Sequence, residues 1–502
     1  MIALPSQVAP DRQQAGDAAW GVRERAAWLA SFRRSVAAHE PELRALIAAE
    51  IGKPTWEALT SDIMPLLAAC KWLERRLPRL LRPRRLRGGA FWQVGERHWV
   101  RREPLGAVAI IATWNYPVQL LGIQLIQALG AGNRVVVKPS EHAARTQTRL
   151  MQLAADAGLP EGMLRWVAAT REAGRELLAG QRFDHVVFTG STGVGRAVAA
   201  WAAETLTPTT LELSGRDSAI VLRDADAQLA AASIWSAVTA NAGQTCMAPR
   251  RVLVEEPIYG RFLAALAPLA AAARPARLIS ERAAAEAYEA ALNAVAGPQR
   301  NGRGGRSLSG VMEPPRGRDL RPLVIVDCPA ECSLARGEHF GPVVAVIPVA
   351  SVREALEIHR ACGQHLAVSL FTRGRAREAI DRLGASNVII NDAVRPVAHP
   401  AVALGGRGES GWGVTRGEEG LLAMTRAVYV SRTSAWLRTP TAPPPGRGEE
   451  RLAALVRWWY GGGRAASQRP SPAPPAATGP ASPSGPSRST AAAREAEATR
   501  HG

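Results

Sequence analysis

Cysteine is scarce in this chain. Its 502 residues hold five, Cys70, Cys246, Cys328, Cys332 and Cys362. Their number is odd and they lack CxxC or Cys/His ligand spacing, which argues against a disulfide framework and a structural zinc site. Lysine is scarcer still: Lys53, Lys71 and Lys138 are the only three among 62 basic residues, leaving 62 − 3 = 59 arginines. No segment approaches the ~18 unbroken apolar residues of a membrane-spanning helix. The N-terminus has no basic start followed by an apolar core, so no secretory leader is expected. A soluble cytoplasmic protein is therefore expected. The formal charge of +18 suggests phosphate binding at first sight. Arginine is nevertheless the default cation along the whole chain, amid abundant Ala, Gly and Pro, so the charge reads as coding bias. Nucleic acid is not expected as the partner.

At 47% hydrophobic, the chain can build two or three cores. Residues 23–81 show helical periodicity, with Trp28, Leu29, Phe32 and Val36 on one face. From Ala107 the pattern changes to β-branched runs between amphipathic stretches: AVAIIAT, RVVVKPS, HVVFTG, SAIVL, RVLVEE, LVIVDC, VVAVIPV, AVSLFT and NVIIND. Strands alternating with helices predict an α/β fold with doubly wound parallel sheets, divided into two domains near Leu211. GGAFWQVGERHWVRR (residues 88–102) suits a hairpin outside the main sheets. Near the end, RLAALVRWWYGGGR predicts a packed terminal helix, or else a basic amphipathic one touching a membrane or partner. Residues 465–502, rich in Pro, Ser, Ala and Gly, are expected to be disordered.

Several residues suit chemistry without proving it singly. Cys246, in NAGQTCMAPRR, could be a packed thiol, but the polar residues before it suggest a loop that presents a nucleophile. Glu212, in TLELSGR, is expected just before a buried strand. It is either a solvated edge carboxylate or, flanked by two leucines, a desolvated general base. Asn115, in TWNYP, follows a strand and precedes a helix; it is a turn residue or an oxyanion donor. Gly190, Gly193 and Gly195, in FTGSTGVGR, lie at a strand-to-helix turn, which serves either as a tight turn or as a phosphate cradle. Lys138 and Glu141, in VVVKPSE, suit ribose hydroxyls.

Taken together, TWNYP, AGNRVVVKPSE, FTGSTGVGR, LELSGR, NAGQTCMAP, EHFGPVV and NVIIND followed by GGRGESGWG resemble an aldehyde dehydrogenase of the shorter, class 3-like branch. The likeness runs from about Arg23 to Arg432. It implies an aldehyde dehydrogenase-like fold: an NAD(P)-binding domain (residues 1–84 and 104–211), a catalytic domain (212–414) and a small β oligomerisation arm (85–103 and 415–435), with residues 436–464 as a terminal extension. It implies NAD(P)-dependent oxidation of an aldehyde to a carboxylic acid through a thiohemiacetal and a thioester, in a homodimer. Carried onto this sequence, Cys246 would be the nucleophile, Glu212 the general base and Asn115 the oxyanion donor. Lys138 and Glu141 would hold the adenosine ribose, Gly190 and Ser191 the pyrophosphate region, and Glu338 and Phe340 the nicotinamide ribose and ring. Trp114, Ser140, Gly195 and Leu213 would complete the cofactor site. Glu141 favours NAD over NADP, and the presence of a base at Glu212 favours hydrolysis over acyl transfer. No metal ligand is expected.

The chain departs from the family pattern at Thr113, Ser214, Arg216, Arg250 and the Ala403–Leu404 pair. Ser214 would clash beside the cysteine loop if its backbone needed a positive φ, and Arg250 either suits an acidic substrate or is merely the chain's default basic residue. These departures leave open a silent family member that binds without turnover, or an arginine-driven nucleic-acid binder, whose affinity would fall steeply with salt.

Overall fold

A computed structural model describes residues 20–93, 95–297, 304–374, 377–434, 442 and 445–461. The expected disorder of residues 465–502 lies outside them. The chain divides into two compact units, Met1–Arg432 and Thr433–Gly502.

In the larger unit the helical lead-in is present as Val22–Ala38, Glu40–Ile51 and Met64–Leu80, and the first of these buries Trp28, Leu29, Phe32 and Val36. This one apolar face packs with helix Gln119–Ala131, all of whose residues are buried. All nine expected strands form. Ala107–Ile111, Arg134–Lys138 and His185–Gly190 belong to a six-stranded sheet; the other six belong to a seven-stranded sheet. Neighbouring strands run parallel, except that Gly411–Trp412 pairs antiparallel at the edge of the first sheet and Arg306–Ser307 at the edge of the second. Parallel strands covered on both faces need no polar alternation, which is why these segments read as unbroken β-branched runs.

Two segments differ from expectation. Thr209–Leu213 is itself a strand, parallel to His185–Gly190, so Glu212 lies within a sheet rather than ahead of one. Residues 88–102 do not form a self-contained hairpin. Glu96–Pro104 lies between Arg84–Arg85 and the distant Thr425–Thr433 in a separate three-stranded sheet, a pairing invisible to local pattern. In the smaller unit, Gly448–Tyr460 is a helix with no buried residue among those described.

Candidate active site

The cysteine loop begins where helix Ala227–Thr239 ends. After Ala240, three consecutive residues, Asn241, Ala242 and Gly243, have φ of 52°, 54° and 72°. Two of them carry a Cβ, a strain of order 1–3 kcal/mol each that surrounding contacts must offset. Those contacts are numerous. The Asn241 side chain donates to the Asn115 carbonyl at 2.8 Å, and its backbone N–H donates to Glu57. Gln244 donates to the Asn241 carbonyl at 3.0 Å and accepts from the Ile279 backbone at 2.8 Å. At Gly243 a Cβ would lie 2.3 Å from the Gly341 backbone, so only glycine lets the two loops touch.

A buried ion pair supports this loop from below. Lys53 Nζ lies 2.5 Å from Asp62 and donates to the Asn115 carbonyl at 3.0 Å, with both charged side chains fully enclosed. Asp62 in turn accepts from the backbone N–H groups of Val118 and Gln119, at 3.2 Å each. Sequence reading missed Lys53, Asp62, Glu57 and Asn241 as parts of the site. The one available signal was that Lys53 is a lysine in a chain that otherwise uses arginine.

The structure brings Asn115, Cys246 and Glu212 together. Asn115 Nδ2 donates to the Gln244 carbonyl at 3.1 Å, which spends one of its two N–H bonds and leaves the other for a ligand. The Thr113 hydroxyl donates to Asn115 Oδ1 at 3.3 Å, so this departure from the family pattern orients the amide rather than disrupting it. Glu212 is buried and accepts from the Thr415 hydroxyl at 3.3 Å, while its other oxygen has no protein partner. Burial raises its pKa, opposed by the nearby Arg416 guanidinium and the Thr415 bond.

Cys246 is half-buried. Desolvation, with the Glu212 and Asp217 carboxylates alongside, pushes its thiol up to about 12, against the pull of Arg416 and the Met247 backbone N–H. Met247, Leu366, Ala367, Ile389, Val397 and Leu404 pack as an apolar cluster against Cys246, so the Leu404 departure becomes part of its wall.

Two further departures, Ser214 and Arg250, take part in the packing around the cysteine loop. Ser214 has no positive φ and its carbonyl accepts from Ser410 at 2.9 Å. The crowded position is Gly215, where a Cβ would lie 2.8 Å from the Cys246 carbonyl oxygen. Arg250 does not face a substrate. It is fully buried and donates to the Thr245 carbonyl at 3.0 Å and the Gly341 carbonyl at 2.9 Å, with its guanidinium 5.5 Å from the Phe340 ring centroid. It clamps the cysteine loop to the segment that carries Phe340.

The residues expected to hold a dinucleotide lie around the ends of the first sheet. Trp114 and Phe340 meet edge to face at 5.8 Å. Lys138 is buried and lies 2.5 Å from Glu141. Burial alone would raise the Glu141 pKa, but the Lys138 contact holds it below the usual carboxylate value. Ser140 is buried, and its backbone N–H donates to Gln147 at 2.7 Å. Glu338 is exposed and accepts from Gln364 at 2.7 Å; Gln364 also reaches the Thr192 hydroxyl at 3.0 Å. Arg216 donates to Gln364 at 3.1 Å, which ties this departure to the same cluster. Gly190 ends its strand, and Ser191 precedes helix Thr192–Thr205 without capping it by its side chain. Gly195 lies one turn inside that helix, where a Cβ would meet Leu213 at 2.4 Å. An uncapped helix start beside a strand end suits a pyrophosphate, and the paired Lys138 and Glu141 suit a ribose, so these residues fit a nicotinamide dinucleotide. Among the described residues no cluster of three or more His, Cys, Asp or Glu is placed to hold a metal.

Comparison with known proteins agrees. Residues 7–430 match the model of the aldehyde dehydrogenase family. The chain is 31% identical over 420 residues to the 4,4'-diapolycopene aldehyde oxidase of Methylomonas sp, covering 81% of this chain and 77% of that protein. It is 30% identical over 412 residues to aldehyde dehydrogenase family 3 member A2 of Mus musculus, covering 79% and 81%. The crystal structure of PnpE from Pseudomonas sp. WBC-3 superposes with a TM-score of 0.77 at 26% identity, covering 84% of this chain and 87% of that one. PnpE is also known in complex with nicotinamide adenine dinucleotide.

Proposed function

The chain belongs to the aldehyde dehydrogenase family, oxidoreductases that use NAD or NADP to oxidise aldehydes, and from that premise we propose which residues perform the reaction and on what. Cys246 attacks the aldehyde carbon, forming a C–S bond. Its thiol proton passes to solvent, so Glu212, desolvated and lacking a partner on one oxygen, stays free as the base of the later hydrolysis. The oxyanion that develops is met by the second N–H of Asn115, a donor of the kind worth roughly 10²–10³ in rate. Lys138, Glu141, Ser140, Gly190, Ser191, Gly195 and Leu213 hold the adenosine and pyrophosphate end of the cofactor; Trp114, Glu338 and Phe340 hold the nicotinamide end. A nicotinamide held there would supply the acceptor for the hydrogen and electron pair that leave the aldehyde carbon. Cys246 is then left as a thioester, Glu212 activates water against it, and a carboxylic acid leaves.

The apolar cluster packed against Cys246 is the observation that carries the substrate class: an apolar aldehyde rather than an acidic one. One of the two relatives above is named a 4,4'-diapolycopene aldehyde oxidase. Glu141, held ionised by Lys138, accepts from a 2′-hydroxyl and repels a 2′-phosphate, so NAD is preferred. We assign the sheet Arg84–Arg85, Glu96–Pro104 and Thr425–Thr433 to a homodimerisation arm, residues 1–84 and 104–211 to cofactor binding, and residues 212–414 to catalysis. Five free cysteines suit a reducing cytoplasm. Among the described residues no helix is long and apolar enough to cross a membrane.

The test is an aldehyde panel of apolar, aromatic and acidic members with each cofactor. Medium-chain or aromatic aldehydes should reduce NAD fastest, and Cys246→Ala should abolish turnover while cofactor binding remains. Full turnover by that variant would remove Cys246 from its role.

A further inference from the structure

We propose that Arg416 is a positioning residue of this site: held rigidly beside the Thr415–Glu212 contact, its guanidinium is the fixed positive charge under which Cys246 and Glu212 react. The inference rests on the roles proposed above for those two residues. Its first support is backbone geometry. Arg416 has φ 66° and ψ 164°, a region open to glycine but costly for a residue with a Cβ, of order 1–3 kcal/mol. The next residue, Gly417, also has positive φ. An arginine persists in this conformation because the surroundings fix it. Its backbone N–H donates to Gln127 Oε1 at 3.0 Å, and the Gln127 amide donates in turn to the Gly417 carbonyl at 3.3 Å. Strand Gly411–Trp412 pairs Gly411 with Glu212, which delivers the segment to the base.

Its second support is the side chain. Arg416 is only 6% exposed, yet its guanidinium makes one protein hydrogen bond, Nη1 to the Val397 carbonyl at 3.3 Å, and Nε is buried without a partner. Glu212 likewise leaves Oε1 unpartnered. A buried charge so sparsely tied keeps its field for its neighbours in a medium that screens weakly. The charged and titratable groups around it are identifiable. Arg416 follows Thr415, which donates to Glu212, and its Nη1 donates to Val397, a member of the cluster packed against Cys246; Glu212, Asp217, Tyr116 and Arg250 are the other groups whose charge is felt at the thiol. His399 lines the same small apolar cavity as Arg416. Of the two cations near the thiol, Arg250 is committed to the carbonyls of Thr245 and Gly341. Arg416 is the cation that also acts on Glu212.

The test compares Arg416→Met, Arg416→Gly and Arg416→Lys in the full-length protein. Alkylation of Cys246 by iodoacetamide, followed by mass spectrometry across pH without aldehyde, reads the thiolate independently of turnover. The pH profile of kcat reads the base. Removing the charge should slow alkylation near neutrality by about tenfold and move the rising limb of both profiles to higher pH, one charge at this range being worth about one pK unit. Lysine should restore most of the effect. Glycine removes both charge and strain, and decides the matter should the methionine variant not fold. Profiles that superpose on the wild type in a folded Met or Gly variant would overturn the proposal and leave Arg416 as a cap of helix Gly417–Ala423. Turnover that survives in Cys246→Ala would instead sink the assignment of the nucleophile, whatever the arginine variants do.

Discussion

Replacing Glu212 with glutamine removes a charge and almost no volume. The side chain lies within strand Thr209–Leu213, opposite Gly411, and accepts from Thr415. Glutamine offers the same shape and an oxygen for that hydroxyl, so strand pairing and fold should persist. What is lost is the base that deprotonates water against the thioester. General-base catalysis is worth roughly 10²–10⁴ in rate, or about 3–5 kcal/mol of barrier, and no other carboxylate contacts the site with an unpartnered oxygen except Asp217, among the described residues. The expected outcome in rapid mixing is a burst of about one equivalent of reduced cofactor per site, followed by steady turnover slowed at least a hundredfold. Mass spectrometry of the quenched protein should show the acyl group on Cys246. The wild type supplies a pH check. Burial raises the Glu212 pKa, so the rising limb of kcat should lie above the ordinary carboxylate value of about 4.3, with activity lost as pH falls through the raised value. A steady-state rate equal to wild type, without a burst, would refute the role.

Two further outcomes follow from the departures. Arg250→Met should lower stability by about 3–5 kcal/mol, measured by denaturant unfolding, because the carbonyls of Thr245 and Gly341 lose buried charged donors; its preference between acidic and apolar aldehydes should not change. Selective loss of acidic aldehydes would restore the reading of Arg250 as a substrate contact. Gly215→Ala should cost about 1–3 kcal/mol and reduce kcat, since its Cβ would press on the Cys246 carbonyl. Ser214→Gly should change little in either measurement. Equal tolerance at both positions would show that the loop yields.

Much of the chemistry was legible before any coordinates. Cys246, Glu212, Asn115 and the Lys138–Glu141 pair each stand in a short motif, and the buried strands announce themselves because a doubly covered parallel strand must be apolar on both faces. Local pattern could not reveal partners far along the chain. The pairing of Glu96–Pro104 with Thr425–Thr433 depends on segments more than 300 residues apart. The Lys53–Asp62 pair beneath Asn115 likewise carries no motif of its own.

The sequence by itself determined the reaction family and the order of the strands along the chain, and it singled out the loop proposed to carry the nucleophile, because those depend on residue type and short-range spacing. Tertiary structure alone decided what the departures mean and what the charges feel. An arginine four residues past the thiol could have met a substrate, but its two carbonyl contacts make it a clamp. A cysteine in a polar stretch could have stood among polar groups alone; the fold sets this half-buried thiol beside an apolar cluster, where desolvation and two carboxylates raise its pKa. Arg416 drew no notice in the sequence, and the fold buries it directly after the Thr415 that donates to Glu212. Burial and electrostatic fields are sums over neighbours in space, and those neighbours come from every part of the chain.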